Sequence, residues 1–334
     1  MIVLSLFNGM NTGRQALENV GIKVDKYFSS EIKPYAIELT QYHFPDTIQL
    51  GDVTKWREWD IDWKSINLVL SGSPCQDLSA AGKRAGINGK KSSLFFTFVE
   101  ILEYIKSLNP KVLFLQENVG SASKLDVGIM SRALGVYPVR INSSLVTAQL
   151  RDRYYWSNIR TKETMFDIVT DIPQPEDRKI MFKDIILNGY VDRDKTGCLM
   201  ESISRVQHTD KGIKSREKFG VPIIYIENEE LRVKTNTIKG FDIVTENDCI
   251  DLTFPNSKTR RARVVKGKSP CLMESSNNLY SYKDGIVRTV NKIEMCRLQG
   301  FPDNYCDILS TKKAGSLLGD GWTLPIIEHI FKFI

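Results

Sequence analysis

The sequence predicts an α/β protein: an open, largely parallel sheet with helices on both faces, plus a smaller, loop-rich, partly β domain. Three observations predict it. Residues 1–115 alternate short apolar runs with amphipathic stretches, the pattern of strand–helix–strand units. Residues 161–266 are rich in Lys, Arg, Asp, Asn and Thr, with short β-like runs and no clear repeat. After that segment helical periodicity returns. The length, 334 residues, suits a core domain with a smaller companion. The expected division is a core of 1–160 and 267–334, with 161–266 as the second domain.

The elements follow in order. "IVLSLF" is a strand-forming run that ends at a glycine-containing turn. "TGRQALENVGI" is a helix with Ala16, Leu17 and Val20 on one face and Gly21 as its stop. "VDKYFSSE" is a second strand and "KPYAIELTQYHF" a second helix. "INLVLSGSP" is another strand. "SSLFFTFVEILEYIKSL" is a strong helix, with Phe95, Phe98, Ile101, Leu102 and Ile105 at helical spacing. "KVLFLQENV" is one more buried strand. In the polar segment, "VPIIYIEN" reads as β. "TVNKIEMCRLQGFPDNY" is a helix closed by Gly300 and Pro302. "TLPIIEHIFKFI" places Ile326, Ile327, Ile330, Phe331 and Ile334 on one stripe that must pack on something.

Composition excludes some classes. Hydrophobic content of 42% and charged content of 26% are ordinary for a globular protein. No apolar run reaches bilayer-spanning length, and no charged leader precedes "MIVLSLFNGM". The expected location is the cytoplasm in which the chain is made. The six cysteines, Cys75, Cys198, Cys249, Cys271, Cys296 and Cys306, include no C-x-x-C pair, so zinc spacing is absent and no metal is expected. In a reducing cytosol they are expected as free thiols. The net charge of +6 is modestly basic, which solubility explains as well as a polyanionic partner does.

Ligands of open parallel sheets sit at the carboxyl ends of the strands. "LFNGMNTG" occupies that end of the first strand, where Gly9 and Gly13 permit a tight turn and close approach. The helix start that follows offers free N–H groups to a carboxylate. The spacing is not G-x-G-x-x-G, which disfavours a dinucleotide. Glu31 follows the second strand, where an acid binds a ribose diol. Asp52 follows the next, where an acid accepts from an adenine amino group. Either acid alone would be read as a cap or a surface charge; together, in this order, they point to a nucleoside-containing cofactor. Cys75, in "SGSPCQDLSAAGKR", and Glu117 end two further strands and would face one crevice. A free cysteine is most often a buried, inert side chain. A Glu closing an apolar run is harder to explain as structure. "QLRDRYYWSN" adds Arg151 and Arg153, placed to organise an anion or hold a carboxylate.

These motifs, taken in order, resemble the DNA (cytosine-5)-methyltransferases. "LSLFNGMNTG" is similar to that family's cofactor motif, "GSPCQ" to its Pro-Cys nucleophile loop and "QENV" to its Glu-Asn-Val motif. "QLRDR" fits its Gln-x-Arg-x-Arg motif, and "RTVNKIEMCRLQGFPDNY" and "GDGWTLP" its last two. The Pro-Cys pair alone is a weak signal, whereas six motifs in order are specific. The wording of "VLSLFNGMNTG", "SLFFTF" and "GDGWTLP" is close to the eukaryotic de novo enzymes. The Lys, Ile and Asn bias suggests an AT-rich bacterial or phage genome. One departure is "GDGW", where many bacterial members carry Gly-Asn-Ser.

The resemblance implies a Rossmann-like S-adenosylmethionine-dependent methyltransferase sheet, with 161–266 as target-recognition domain. It implies S-adenosylmethionine as cofactor, held by Phe7, Gly9, Met10, Thr12, Gly13, Glu31, Ile32, Asp52, Val53, Ser73, Pro74, Leu94, Asp320 and Trp322. Cys75 would add to cytosine C6, Glu117 would bind the N3/N4 edge, and Arg153 and Arg151 would support them. Double-stranded DNA with a specific cytosine site would be the partner, met by Ser79, Lys83 and Arg84 on the nucleophile loop. Arg260, Arg261 and Arg263 of "KTRRARVVKGK" would meet phosphates, and the target base would be flipped out. A monomer is expected. Two other readings stay open: a tRNA cytosine-5 methyltransferase of the same fold, and a non-catalytic DNA-binding homologue.

Overall fold

The computed structural model describes residues 1–74, 94–181, 184–185, 187, 224–227, 230–252, 262–272, 279–283, 286–289 and 291–334. They form two compact units. One comprises Met1–Val146, Asp152–Asp177 and Gly321–Ile334; the other comprises Thr147–Arg151 and Arg178–Asp320.

The first unit is a layered α/β structure. Its strands are β1 (Ile2–Leu6), β2 (Lys26–Ser30), β3 (Ile48–Gln49), β4 (Leu68–Ser71), β5 (Leu113–Val119) and β6 (Val139–Asn142). After β7 (Gln149–Leu150), which belongs to the other unit, the chain returns as β8 (Asp152–Ser157). The seven-stranded sheet runs β3-β2-β1-β4-β5-β8-β6. Strands β3 to β5 pair in parallel, and β8 joins β5 and β6 antiparallel. The apolar runs are central because both of their faces are covered. Helix α3 (Leu94–Leu108), which follows α1 (Thr12–Asn19) and α2 (Pro34–His43), buries the expected Phe95, Phe98, Ile101, Leu102 and Ile105. They share a core with Leu4, Val69 and Phe114. Each such side chain contributes about 1.5–3 kcal/mol by burial.

Strand alternation turns Leu70 to the opposite face, where α1 lies: a Cβ on Gly13 would meet Leu70 Cδ1 at 2.4 Å and Tyr27 Oη at 3.0 Å. Gly13 is therefore required by helix-on-sheet packing. Helix α4 (Lys124–Leu134) is capped by Ser123, whose Oγ accepts from the Asp126 N–H, and ends at left-handed Gly135. Strands β9 (Thr161–Glu163) and β10 (Ile168–Thr170) form an antiparallel hairpin in this unit.

The second unit contains β11 (Ile224–Glu227), β12 (Glu230–Lys234) and β13 (Phe241–Ile243) as one antiparallel sheet. A second antiparallel sheet joins β14 (Cys249–Asp251) and β15 (Arg263–Val265) to β17 (Leu279–Lys283) and β18 (Ile286–Thr289). Between them in sequence, β16 (Ser269–Pro270) pairs with β7. Helices α5 (Lys292–Gln299) and α6 (Thr311–Asp320) also belong here. The capping box of Asn291 and Glu294 starts α5, and Gly300, with φ 78°, ends it as expected.

Helix α7 (Leu324–Phe331) returns to the first unit and packs on α1. Ile326, Ile327, Ile330 and Phe331 are buried; Ile334 lies past the helix end and is 40% exposed, so it does not join the stripe. Among the described residues no helix is long and apolar enough to cross a membrane.

Candidate active site

The parallel sheet changes direction between β1 and β4: later strands are added outward on either side of this pair. That switch opens a crevice at the strands' carboxyl ends. The residues beyond β1 shape it. Phe7, Gly9 and Asn11 all adopt left-handed backbone, with φ of 56°, 58° and 65°. For Phe7 and Asn11 this conformation is disfavoured by about 1–3 kcal/mol each. The strain is held by bonds around it. Asn8 N–H donates to Ser30 O at 3.1 Å, and Gly9 N–H donates to Glu31 Oε2 at 2.8 Å. The other oxygen of Glu31 accepts from the N–H groups of Ile32 and Lys33. Glu31 thus ties the first-strand loop to the end of β2, a role beyond the ribose contact expected of it.

Asp52 begins a 3₁₀ turn over Val53–Glu58, and its Oδ1 accepts from Thr54 N and Oγ1 at 2.9 Å. Among the described residues Oδ2 has no partner, so the side chain is a cap with one oxygen to offer. Val53 is buried in the core, and Ile32 is exposed at the crevice rim. The Met10 side chain is also buried, leaving its backbone as the part able to meet a ligand.

Asn11 was not singled out by sequence. It is fully buried, it starts α1, and neither its Oδ1 nor its Nδ2 has a hydrogen-bond partner. Leaving such an amide unpaired costs about 1–3 kcal/mol. An orphaned donor and acceptor beside a helix start fit an amino-acid moiety such as the methionine end of S-adenosylmethionine. Glu31 and Asp52, following β2 and β3, fit its nucleoside end.

On the other side of the switch, β4 leads through Gly72, Ser73 and Pro74, and β5 presents Glu117. Glu117 is 7% exposed. Its Oε1 lies 2.8 Å from Arg153 Nε, and its Oε2 accepts from Trp322 Nε1 at 3.1 Å. The register explains the ion pair: Glu117 is opposite Tyr155 and Val119 opposite Arg153, so Arg153 is the same-face diagonal neighbour. Trp322 comes close because position 72 is glycine, where a Cβ would stand 2.8 Å from its Nε1. Each carboxylate oxygen keeps acceptor capacity beyond these two donors, enough for a planar edge carrying two N–H groups.

The remaining expected residues have the following surroundings. Arg151 is 2% exposed, and its Nη1 donates to Gly319 O at 2.9 Å and Leu272 O at 3.4 Å, with Cys271 Sγ at 3.0 Å. These contacts lie within the second unit. Asp320 is the exposed last residue of α6 in that unit, and Leu94 is the half-buried first residue of α3. Thr12, at the start of α1, is buried. Arg263 pairs with Asp251, Lys266 Nζ lies 2.6 Å from Asp248, and Lys268 donates to Ile180 O. The described cations of the basic cluster are therefore engaged internally. Cys75, Ser79, Lys83, Arg84, Arg260 and Arg261 lie outside the described residues.

Of the described thiols, Cys249, Cys296 and Cys306 are buried. Burial pushes the Cys249 thiol up, and the hydrogen bond with Cys296 pushes Cys306 up. No cluster of metal-ligating side chains occurs among the described residues.

The chain has relatives among known proteins. The family model for C-5 cytosine-specific DNA methylase matches residues 1–334. Type II methyltransferase M1.ScrFI of Lactococcus lactis subsp. cremoris is 28% identical over 332 residues, covering 98% of this chain and 76% of that protein. Type II methyltransferase M.HpaII of Haemophilus parainfluenzae is 26% identical, covering 99% and 88%. In fold, the chain is similar to Entamoeba histolytica methyltransferase EhMeth, with TM-score 0.59, 16% identity and coverage of 100% and 97%. It is also similar to a Spodoptera frugiperda DNMT2 variant, with TM-score 0.58, 16% identity and coverage of 99% and 98%.

Proposed function

The chain belongs to the C-5 cytosine-specific DNA methylase family, and from that membership we propose that it methylates C5 of a flipped-out cytosine in a specific duplex DNA sequence through covalent attack by Cys75. The coarse activity is that of the family: a DNA cytosine-5-methyltransferase that uses S-adenosylmethionine. Relatives named type II methyltransferases support a place in restriction–modification. The observation that carries the finer reading is Glu117, a buried carboxylate held by Arg153 and Trp322 beside the strand end that leads to Pro74 and Cys75.

Cytosine C5 is too weak a nucleophile to be alkylated unaided. Addition of the Cys75 thiolate to C6 breaks the C5–C6 double bond and makes C5 enamine-like. Glu117 hydrogen-bonds the N3/N4 edge, accepting from the N4 amino group, and a proton delivered to N3 takes up the charge released as Cys75 adds to C6; this stabilises the activated ring and selects cytosine. Arg153 and Trp322 hold Glu117 in that orientation. S-adenosylmethionine, when bound, supplies an electrophilic methyl carbon. Asn11, Glu31 and Asp52 would hold it, with Phe7 and Trp322 beside its rings. Loss of the C5 proton then expels Cys75 and restores the aromatic ring. A stacked base is out of reach of such a crevice, so the cytosine must leave the duplex. Residues 161–266 are proposed as the recognition segment, and the protein as a cytoplasmic monomer.

Labelled cofactor offered with duplex DNA and tRNA side by side tests the substrate. Label is expected in the DNA, at one sequence context read by bisulfite sequencing. Label in tRNA alone would replace DNA by RNA as substrate.

A second test concerns the carboxylate's support. Gly72→Ala must displace the Trp322 indole and weaken its bond to Glu117. Turnover is expected to fall about 10²-fold, the scale of a 1 Å misplacement, while the melting transition stays cooperative. Wild-type turnover in Gly72→Ala would show that Trp322 does not orient Glu117.

A further inference from the structure

We propose that Gln116 is a positioning residue for the nucleophile: its amide clamps Ser73 and thereby fixes the strand end from which Pro74 and Cys75 depart. The proposal rests on the reading of Cys75 as the attacking thiol.

Gln116 is an odd occupant of its place. It sits in β5, between β4 and β8, directly after the apolar Leu113–Leu115, and it is fully buried. Burying an amide costs free energy unless it is hydrogen-bonded, whereas leucine would pack there at no such cost. The amide is only half satisfied. Nε2 donates to Ser73 Oγ at 2.9 Å and to Glu117 O at 2.7 Å, while Oε1 has no partner. Fold stability alone does not account for a half-satisfied buried amide. What the two donor bonds accomplish locally does.

Sheet pairing ends before Pro74. Pairing of β4 ends at Ser71, opposite Leu6 on one side and Gln116 on the other. Gly72, Ser73 and Pro74 have therefore left the ladder, and Pro74 has no N–H to give. Side chains take over where the ladder ends. Gln116 holds Ser73 Oγ, and Asn118, two residues along and on the same strand face, donates from Nδ2 to Ser73 Oγ at 3.3 Å and Ser73 O at 3.4 Å. Glu117 points to the opposite face, yet its carbonyl accepts from the same Gln116 amide. One buried side chain thus joins Ser73, two residues before Cys75, to the backbone that bears Glu117. The strand end that leads towards Cys75 and the strand that carries Glu117 are tied together by it.

The test uses the rate at which the full-length enzyme forms a denaturation-resistant adduct with duplex DNA carrying 5-fluorocytosine, at saturating cofactor and DNA. Gln116→Leu keeps the volume and removes both bonds. Its adduct rate and kcat are expected to fall roughly 10- to 100-fold, with KM for cofactor and DNA within about twofold of wild type. Ser73→Ala removes the acceptor and should slow the adduct similarly. The double variant should be no slower than the slower single one, as expected for two ends of one interaction. A merely structural role would lower the melting temperature and leave kcat in place. A Gln116→Leu enzyme with a cooperative melting transition and a wild-type adduct rate would overturn the proposal. If Gln116→Leu does not fold, a wild-type adduct rate in Ser73→Ala overturns it instead. Absence of any adduct at Cys75 in the wild-type enzyme would remove the covalent reading itself, and the clamp with it.

Discussion

Cys75→Ala is expected to abolish both methyl transfer and covalent capture of DNA. The loss should be on the order of 10⁶-fold, the scale seen when a covalent nucleophile is removed from an enzyme. Capture is the sharper measurement. With cytosine in the target site, the adduct resolves when the C5 proton leaves. With 5-fluorocytosine, fluorine occupies that position and cannot depart as a cation. The methylated ring then stays bonded to the thiol and survives denaturing electrophoresis. Formation should require cofactor, and mass spectrometry should map the bond to Cys75. The described alternatives are poorly placed to attack: Cys249, Cys296 and Cys306 are buried, and Cys271 is engaged with Arg151. An adduct on any cysteine but Cys75 would overturn the mechanism.

Glu117→Gln is expected to lower kcat about 10²- to 10⁴-fold, the usual contribution of a positioned acid or base, with cofactor affinity unchanged. The substitution keeps the shape and removes the charge. It also creates a conflict. The native carboxylate accepts from Arg153 on one oxygen and from Trp322 on the other. An amide offers one acceptor and one donor, so one of these N–H groups would face another donor, at about 1–3 kcal/mol. The glutamine will turn its oxygen to the guanidinium and present the wrong edge to the base. Single-turnover methylation with a parallel melting curve checks this. Activity within tenfold of wild type would exclude Glu117 as the residue that activates the ring.

Much of this site was legible in sequence because its parts obey local rules. Glu117 stood out as a carboxylate closing an apolar run, and Arg153 follows from the motif beside it. Gly300 and the α7 stripe could be read from helix chemistry alone. What was not legible depends on register and on where the chain changes units. Arg151 and Arg153 are two residues apart, yet the chain passes between units at 151/152, and Arg151 turns to carbonyls that no spacing rule reveals. The basic cluster looked free because its acids are distant in sequence. Asp251 is the cross-strand partner of Arg263 in the β14–β15 pair, a pairing that composition cannot show. Gln116 carried a signal that was passed over: a polar side chain inside a run whose both faces are buried.

The packing of α7 on α1 sets a schedule for synthesis. Asn19 Nδ2 bonds Glu328 Oε1 at 2.6 Å across a separation of 309 residues. At about 5–20 residues per second, roughly 15–60 s pass between the emergence of these two helices from the ribosome. Throughout that interval α1, with its buried Ala16 and Leu17, lacks the cover of α7. The nascent first unit therefore waits, incompletely covered, while the entire second unit is made. A ribosome stalled anywhere in that stretch would hold out an apolar surface that aggregates or recruits a chaperone. The Trp322 donor to Glu117 is likewise made 205 residues after the carboxylate that it holds.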